Sequence, residues 1–460
     1  MGRPYRARMN DDFARALDVA ARSAREYIDG LPDRRVAPPP GAIEGLRRLR
    51  VPLPEDGSTA EETVALLHEV ASPATVASSG GRYFGFVIGG ALPAGVAAAW
   101  LASAWDQNAA FVATSPAAAE LEAIAIDWLR DALALPGAAE GALVTGATMA
   151  NFTGLVAARR AVLGRAGWDV EARGLFGAPP VTVIVGDEVH VTVLKALGML
   201  GLGRDRVVRV PTDGQGRMRA DRVPRLAGPT IVCLQAGNVN TGAFDPATAV
   251  CAAARDAGAW VHVDGAFGMW ARTAPARAAL ADGFELADSW AIDAHKWLNV
   301  PYDSAVAFVR DAGALRGAMA TNAAYAPAEE LREPCQLTPE FSRRARGVEV
   351  WAVLRQLGRR GVADLVERTC RHAAHFAERM RAAGYEVLND VVLNQVLVSF
   401  GAPERTRAVI AAVQAEGTCW CGGTLWRGRT AMRISVSGWA TTDDDVERSA
   451  DAILRVARAG

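Results

Sequence analysis

Lysine occurs at only two positions in this chain, Lys195 and Lys296, so 48 of the 50 basic residues are arginine. Arginine stays protonated, whereas a lysine amine can lose its proton and attack a carbonyl. A lysine kept against such a background is the first place to look for covalent chemistry. Lys296 follows the apolar run Ser289 to Ile292 in Asp293-Ala-His295-Lys296-Trp297. An apolar setting beside an imidazole suits a Schiff-base lysine. Asp264 ends the run Trp260-Val-His262-Val-Asp264. Alternate strand residues share a face, so His262 and Asp264 point one way and Val261 and Val263 the other. A carboxylate at the end of a buried strand needs a cationic partner. Gly265-Ala266 leaves space for something flat, and the protonated ring nitrogen of a bound cofactor would meet both conditions. An Asp that caps the following turn is the alternative.

Thr145-Gly-Ala147-Thr148-Met-Ala-Asn151 lies between a strand and a helix. Its small residues admit a ligand to the backbone, and helix N–H groups with the Thr148 hydroxyl suit a phosphate. The same residues also suit a tight structural turn. They form neither a P-loop nor a Gly-x-Gly-x-x-Gly fingerprint. His190 follows the strand Val181 to Val185. A lone histidine is commonly structural, but here the phosphate loop, His190, Asp264 and His295-Lys296 each fall at a strand end, in that order.

The elements that position them alternate. Residues 1 to about 80 read as amphipathic helix, with Asn10-Asp11-Asp12 as the cap of a helix over Phe13 to Asp29 and a second helix over Glu55 to Ala71. From about 115, helices alternate with β-branched runs at 141–145, 181–185, 207–210, 230–234, 260–263, 289–292 and 305–309. That pattern predicts an α/β domain with a mainly parallel sheet, whose ligands sit at the carboxyl ends of the strands. Helices over 349–357 and 362–383 lead into a smaller α+β unit, with strands over 385–388, 394–400 and 430–436 and a helix over 406–416. The expected division is an N-terminal helical arm (1–85), a large domain (86–378) and a small C-terminal domain (379–460).

Composition narrows the function classes. The 460 residues are half hydrophobic and 22% charged, an ordinary folded balance. The net charge of -1 leaves no basic excess for nucleic acid. The six scattered cysteines read as reduced thiols of a cytoplasmic protein rather than a disulfide framework. The uncharged stretch between Arg82 and Asp106 is broken by Gly89, Gly90 and Pro93, and reads as a loop and a small-residue helix packed inside protein, not a membrane span. Phe84, Phe86, Trp100 and Trp105 suit either an aromatic pocket or a core. No Gly-x-Ser-x-Gly elbow supports a serine hydrolase.

Taken together, the segments Ser115 to Glu122, Thr145 to Asn151, Glu188-Val-His190, Gly242-Ala-Phe-Asp-Pro246, His262 to Gly268, Asp293 to Trp297 and Ser342-Arg-Arg344 resemble the pyridoxal-phosphate-dependent group II amino-acid decarboxylases, the aromatic-L-amino-acid and glutamate decarboxylase family. The likeness runs from about residue 65 to the end. It implies a fold type I enzyme with a seven-stranded central sheet, an amino-acid substrate, and a homodimer in which the N-terminal arm wraps the partner. By the same resemblance Lys296 is the Schiff-base lysine and Asp264 pairs with the pyridinium nitrogen. Ala266 lies under the ring and His190 stacks on its other face. Ala147, Thr148 and His295 lie at the phosphate, and Asn238 stands where many members have a threonine near the cofactor. Lys195, whose Lys195-Ala also belongs to the resemblance beside His190, falls outside the aldimine motif and is expected in a surface or helix role. The family usually returns a proton to the substrate from a tyrosine on a mobile loop, yet residues 331–342 contain none, and Tyr325 aligns elsewhere. Members without that tyrosine can divert the reaction to oxygen and an aldehyde. Decarboxylation to the amine is the leading expectation, ahead of oxidative deamination, and other reactions of the cofactor (transamination, carbon–carbon lysis) share the same lysine and aspartate. A catalytically dead interaction protein is the rival of another class, and the intact Lys296, Asp264 and His190 count against it.

Overall fold

The computed structural model describes residues 5–320 and 332–459. Three helices open the chain: α1 (Tyr5–Gly30), α2 (Pro40–Gly45) and α3 (Ala60–Ala71). α1 starts before the expected cap at Asn10, because the preceding Arg, Ala and Met residues are themselves good helix formers. α3 starts later than expected. Thr59 and Glu62 close a capping box there, the Thr59 hydroxyl accepting the Glu62 N–H at 3.1 Å and the Glu62 carboxylate the Thr59 N–H at 3.0 Å.

Next come β1 (Tyr83–Phe84), α4 (Pro93–Trp105) and α5 (Pro116–Ala132). α4 is not packed inside the chain as the sequence suggested. Only Gly95 and Ala98 are buried, while Trp100, Leu101 and Trp105 stay exposed. No helix among the described residues is long and apolar enough to cross a membrane.

The large sheet follows: β2 (Glu140–Val144), α6 (Ala147–Arg165), α7 (Val170–Arg173), β3 (Thr182–Gly186), α8 (Val191–Met199), β4 (Val208–Val210), β5 (Thr230–Gln235), α9 (Ala247–Asp256), β6 (Trp260–Asp264), β7 (Ser289–Asp293), β8 (Ala305–Val309) and α10 (Ala312–Met319). Its seven strands run in the order β2-β8-β7-β6-β5-β3-β4. Only β8 opposes the rest, pairing antiparallel with both β2 and β7. Apolar layers cover both faces, with Leu129, Val261, Trp290 and Phe308 on one side and Leu155, Val185, Leu197 and Trp260 on the other. Burial on both faces explains why these strands read as short β-branched and aromatic runs.

α11 (Gly347–Ala382) is two helices joined at a kink, where Gly358 takes φ 60 and ψ 179. An L side chain is strained at that φ, and the glycine explains the sequence break near 358. β9 (Glu386–Val387), β10 (Gln395–Ser399), α12 (Pro403–Glu416), β11 (Trp420–Trp426), β12 (Arg429–Ser435) and α13 (Asp443–Ala459) complete the chain. The small sheet has the order β1-β11-β12-β10-β9, so it takes a strand from residues that precede the large sheet. β11 escaped sequence reading because Gly422-Gly423 interrupts its β-forming residues.

One buried ion pair locks the motif Ser342-Arg-Arg344 onto the large sheet. The Arg343 guanidinium, fully buried, donates to Glu122 Oε2 at 2.7 Å and to the carbonyl of Leu143 at the end of β2. Removing one member of such a pair strands the other charge. Glu122→Ala is expected to lower unfolding stability by about 3–5 kcal/mol, read from urea midpoints.

Candidate active site

The carboxyl ends of β2, β3, β5, β6 and β7 surround a cavity of about 260 Å³. It is lined by Ala147, Thr148, His190, Asp264, Ala266, His295 and Lys296, all expected from the sequence. Asn238 is not brought to it. Its carbonyl accepts the N–H groups of Asn240 and Thr241, which closes a turn and leaves the side chain buried. Gln235, Gly237 and Val239 line the cavity in that region instead. Lys195 is exposed on α8, as expected.

Lys296 leaves β7 and turns back, so that Nζ lies 2.9 Å from Asp293 Oδ2. Asp293 is buried, and its Oδ1 also accepts the Ala147 N–H at 2.6 Å. This carboxylate ties the lysine to the N-terminus of α6, and sequence reading did not assign it a role. The available signal was the Asp-x-x-Lys spacing at a strand end. His295 accepts the Ser304 N–H on Nδ1 at 3.1 Å, which leaves any ring proton on Nε2, 3.5 Å from Asp293 Oδ1. Burial holds the His295 pKa below its usual value; Asp293 opposes this and Lys296 adds to it. Tyr302 stacks on His295 with ring centroids 4.3 Å apart.

Asp264 Oδ1 accepts the Ala266 N–H at 3.2 Å, which pins the carboxylate at the cavity floor. His190 caps α8, and its pKa is lowered by burial; Asp264 resists the shift, while Lys296 and Arg433 reinforce it. Arg433 comes from β12 of the small sheet and was missed in the sequence. It is half-buried, donates only to the Val239 carbonyl at 3.4 Å, and has no carboxylate partner among the described residues.

The approach to Lys296 is shaped by Gly89. A Cβ there would lie 2.3 Å from the Lys296 carbonyl oxygen, so only glycine lets this segment pass. The same segment leaves Phe86 exposed against Trp420, on which Tyr83 also stacks. Phe84 instead enters the small-sheet core against Phe376.

His262 shares the Asp264 side of β6, as the alternation predicted, and burial lowers its pKa from 6.5 to about 3. The fold therefore holds a neutral ring, while the unfolded chain takes up the proton first as pH falls. This contribution to stability is complete above about pH 6.5 and is lost toward about pH 3, at about 1.4 kcal/mol per pH unit. The urea midpoint of the native sequence is expected to fall more steeply on acidification than that of His262→Gln.

An amine on a strand-end lysine, a buried carboxylate on the neighbouring strand, a flat gap over Ala266 bounded by His190, and the N-terminus of a long helix fit pyridoxal phosphate (PLP) in aldehyde, ring nitrogen, ring face and phosphate. The class they define is a PLP enzyme on a mainly parallel α/β sheet. Residues 53–402 match the pyridoxal-dependent decarboxylase conserved domain, and the chain belongs to that family of PLP-dependent lyases. It is 27% identical to tryptophan decarboxylase 1 of Oryza sativa subsp. japonica, over 97% of this chain and 93% of that one. It is 29% identical to phenylacetaldehyde synthase of Petunia hybrida, over 57% and 55%. A crystal structure of Oryza sativa TDC with PLP and tryptamine superposes with a TM-score of 0.90 at 25% identity, covering 100% of this chain and 99% of that one.

Proposed function

We propose that this enzyme removes the α-carboxylate of an aromatic L-amino acid as carbon dioxide and releases the amine. The observation that carries the reading is the convergence of Lys296, paired with Asp293, and Asp264 on one cavity, and the tryptophan and aromatic-L-amino-acid decarboxylases among the relatives support the aromatic substrate class. PLP, when bound, supplies an electron sink for the pair left by departing carbon dioxide. Lys296 would anchor it through Nζ and would move a proton at that atom within the cavity. Asp264 would pair with the ring nitrogen, and His190 and Ala266 would bound the ring. Thr148 and His295 would hold the phosphate end beside Ala147, whose N–H is taken by Asp293. Arg433 attracts the substrate carboxylate, since it is a desolvated cation without an acid partner.

A second reading is favoured by one observation. Residues 331–342 contain no tyrosine, and Tyr325 lies outside the described residues. Without a proton donor there, oxygen and water would convert the substrate to aldehyde, carbon dioxide, ammonia and hydrogen peroxide. The Petunia relative named as a phenylacetaldehyde synthase supports keeping this outcome in view. Mass spectrometry of products from a pool of amino acids, in air and under argon, decides between them. Amine formed equally in both supports decarboxylation, aldehyde with peroxide in air alone supports the second reading, and no carbon dioxide in either removes both.

We further propose a cytoplasmic homodimer. The six cysteines are free and buried, which suits a reducing compartment. Phe13, Leu17, Leu53 and Leu67 on the N-terminal arm and Trp100, Leu101 and Trp105 on α4 are exposed in the single chain, and a second copy would cover them.

A further inference from the structure

Asn151, fully buried on α6, sits where two hydrogen-bonded branches meet. The chain of bonds starts at Trp260 Nε1, a group that can only donate, 2.9 Å from Ser289 Oγ. The Ser289 hydroxyl then donates to His262 Nδ1 at 2.8 Å. A neutral imidazole that accepts on Nδ1 carries its proton on Nε2, and His262 Nε2 is 2.8 Å from Asn151 Oδ1. With its oxygen engaged, the Asn151 amide has two N–H groups left. One faces Asp264 Oδ2 at 3.4 Å and the other Thr192 Oγ1 at 3.3 Å. The Thr192 hydroxyl donates in turn to His190 Nδ1 at 2.8 Å, which also lies 3.4 Å from the Thr192 backbone N–H.

Each donor is used in one direction only. Turning the Asn151 amide over would set its oxygen against the Asp264 carboxylate and its N–H groups against the His262 N–H. Trp260, Ser289, His262 and Asn151 are closed to solvent, so water does not offer these groups alternative partners.

We propose that Asn151 is a positioning residue that couples Asp264 to His190. Through one amide it holds Asp264 Oδ2 while the Ala266 N–H holds Oδ1, which fixes the orientation of the carboxylate toward the cofactor ring nitrogen, and through Thr192 it fixes His190 with its proton on Nε2. The direction of the whole network is set from Asp264, whose carboxylate only accepts and so takes an N–H of Asn151, leaving Asn151 Oδ1 to accept from His262 Nε2. The inference rests on the reading of the cavity as a PLP site, and adds that the group for the ring nitrogen and the group for one ring face are oriented by a residue that need not touch the cofactor.

The test uses holoenzyme labelled with 15N-histidine. Only six histidines are present, so single substitutions assign the signals. At neutral pH, His190 and His262 are expected to be neutral with the proton on Nε2. Thr192→Val, which cuts one branch, is expected to leave His262 unchanged while His190 samples both tautomers. Asn151→Ala, which cuts both, is expected to release PLP about tenfold faster or more and to shift the pH titration of the bound cofactor's absorption. If Asn151→Ala does not fold, Thr192→Val decides. A proton on Nδ1 of either histidine in the native sequence overturns the proposal. So does a His190 tautomer that Thr192→Val leaves unchanged, or a lower melting temperature with tautomers and cofactor titration unaltered, since that is a purely structural role. Failure to turn over any amino acid would count against the proposed reaction and leave these readouts intact.

Discussion

Lys296→Ala is expected to lower turnover by about 10⁴-fold or more and to abolish borohydride-stable retention of PLP, while Lys195→Ala leaves both unchanged. The size follows from the role of the residue. Removing the nucleophile of a covalent mechanism costs nearly the whole chemical advantage of the site, because the other groups act through it. The contrast between the lysines follows from position. Lys296 Nζ is held at 2.9 Å from a buried carboxylate inside the cavity, whereas Lys195 projects from α8 into solvent. Steady-state rates and the absorption of the purified proteins check both variants. The expected loss also separates the proposed enzyme from an inert protein on the same fold, which would have no turnover to lose.

Asp264→Asn is expected to reduce kcat by about a thousandfold, with a smaller change in KM. The side chain keeps its size and its place in the cavity but loses its charge. At about 4 Å and an effective dielectric of about 20, the attraction between such a carboxylate and a protonated ring nitrogen is about 4 kcal/mol. That converts to roughly 10³ in rate if it acts where negative charge moves into the ring. A loss confined to KM would mean that Asp264 only helps to bind the cofactor or substrate.

The site was legible in the sequence where local pattern carries it. Strand-helix alternation located the sheet edge, and the i, i+2 rule placed His262 and Asp264 on one side of β6. What the sequence hid depends on contacts made by folding. The direction of the bonds at Asn151 depends on Asp264, and the chain reaches Ser289 only through pairing of β6 with β7, which sets it against His262. Arg433 arrives from β12 of the small sheet, and Tyr302 is placed by stacking on His295, which no linear pattern announces. Asp293 was visible as part of a motif, but its bond to Ala147 needed β7 and α6 in place. Asn238 shows the opposite failure. Its position in the motif suggests a cofactor contact, whereas its Oδ1 closes a turn and its amide N–H donates to Gln235, which lines the cavity in its place. The edges of the N-terminal helices were misjudged because a capping box at Thr59 outweighs the earlier acidic residues, and because nothing before Asn10 stops α1.

The most direct test of the central claim is to reduce the PLP-loaded protein with borohydride, digest it, and locate the cofactor by peptide mass spectrometry. With only two lysines in the chain the result is unambiguous. The account predicts a pyridoxyl group on the peptide containing Lys296 and none on the peptide containing Lys195. Label on Lys195, or on neither lysine, would contradict it.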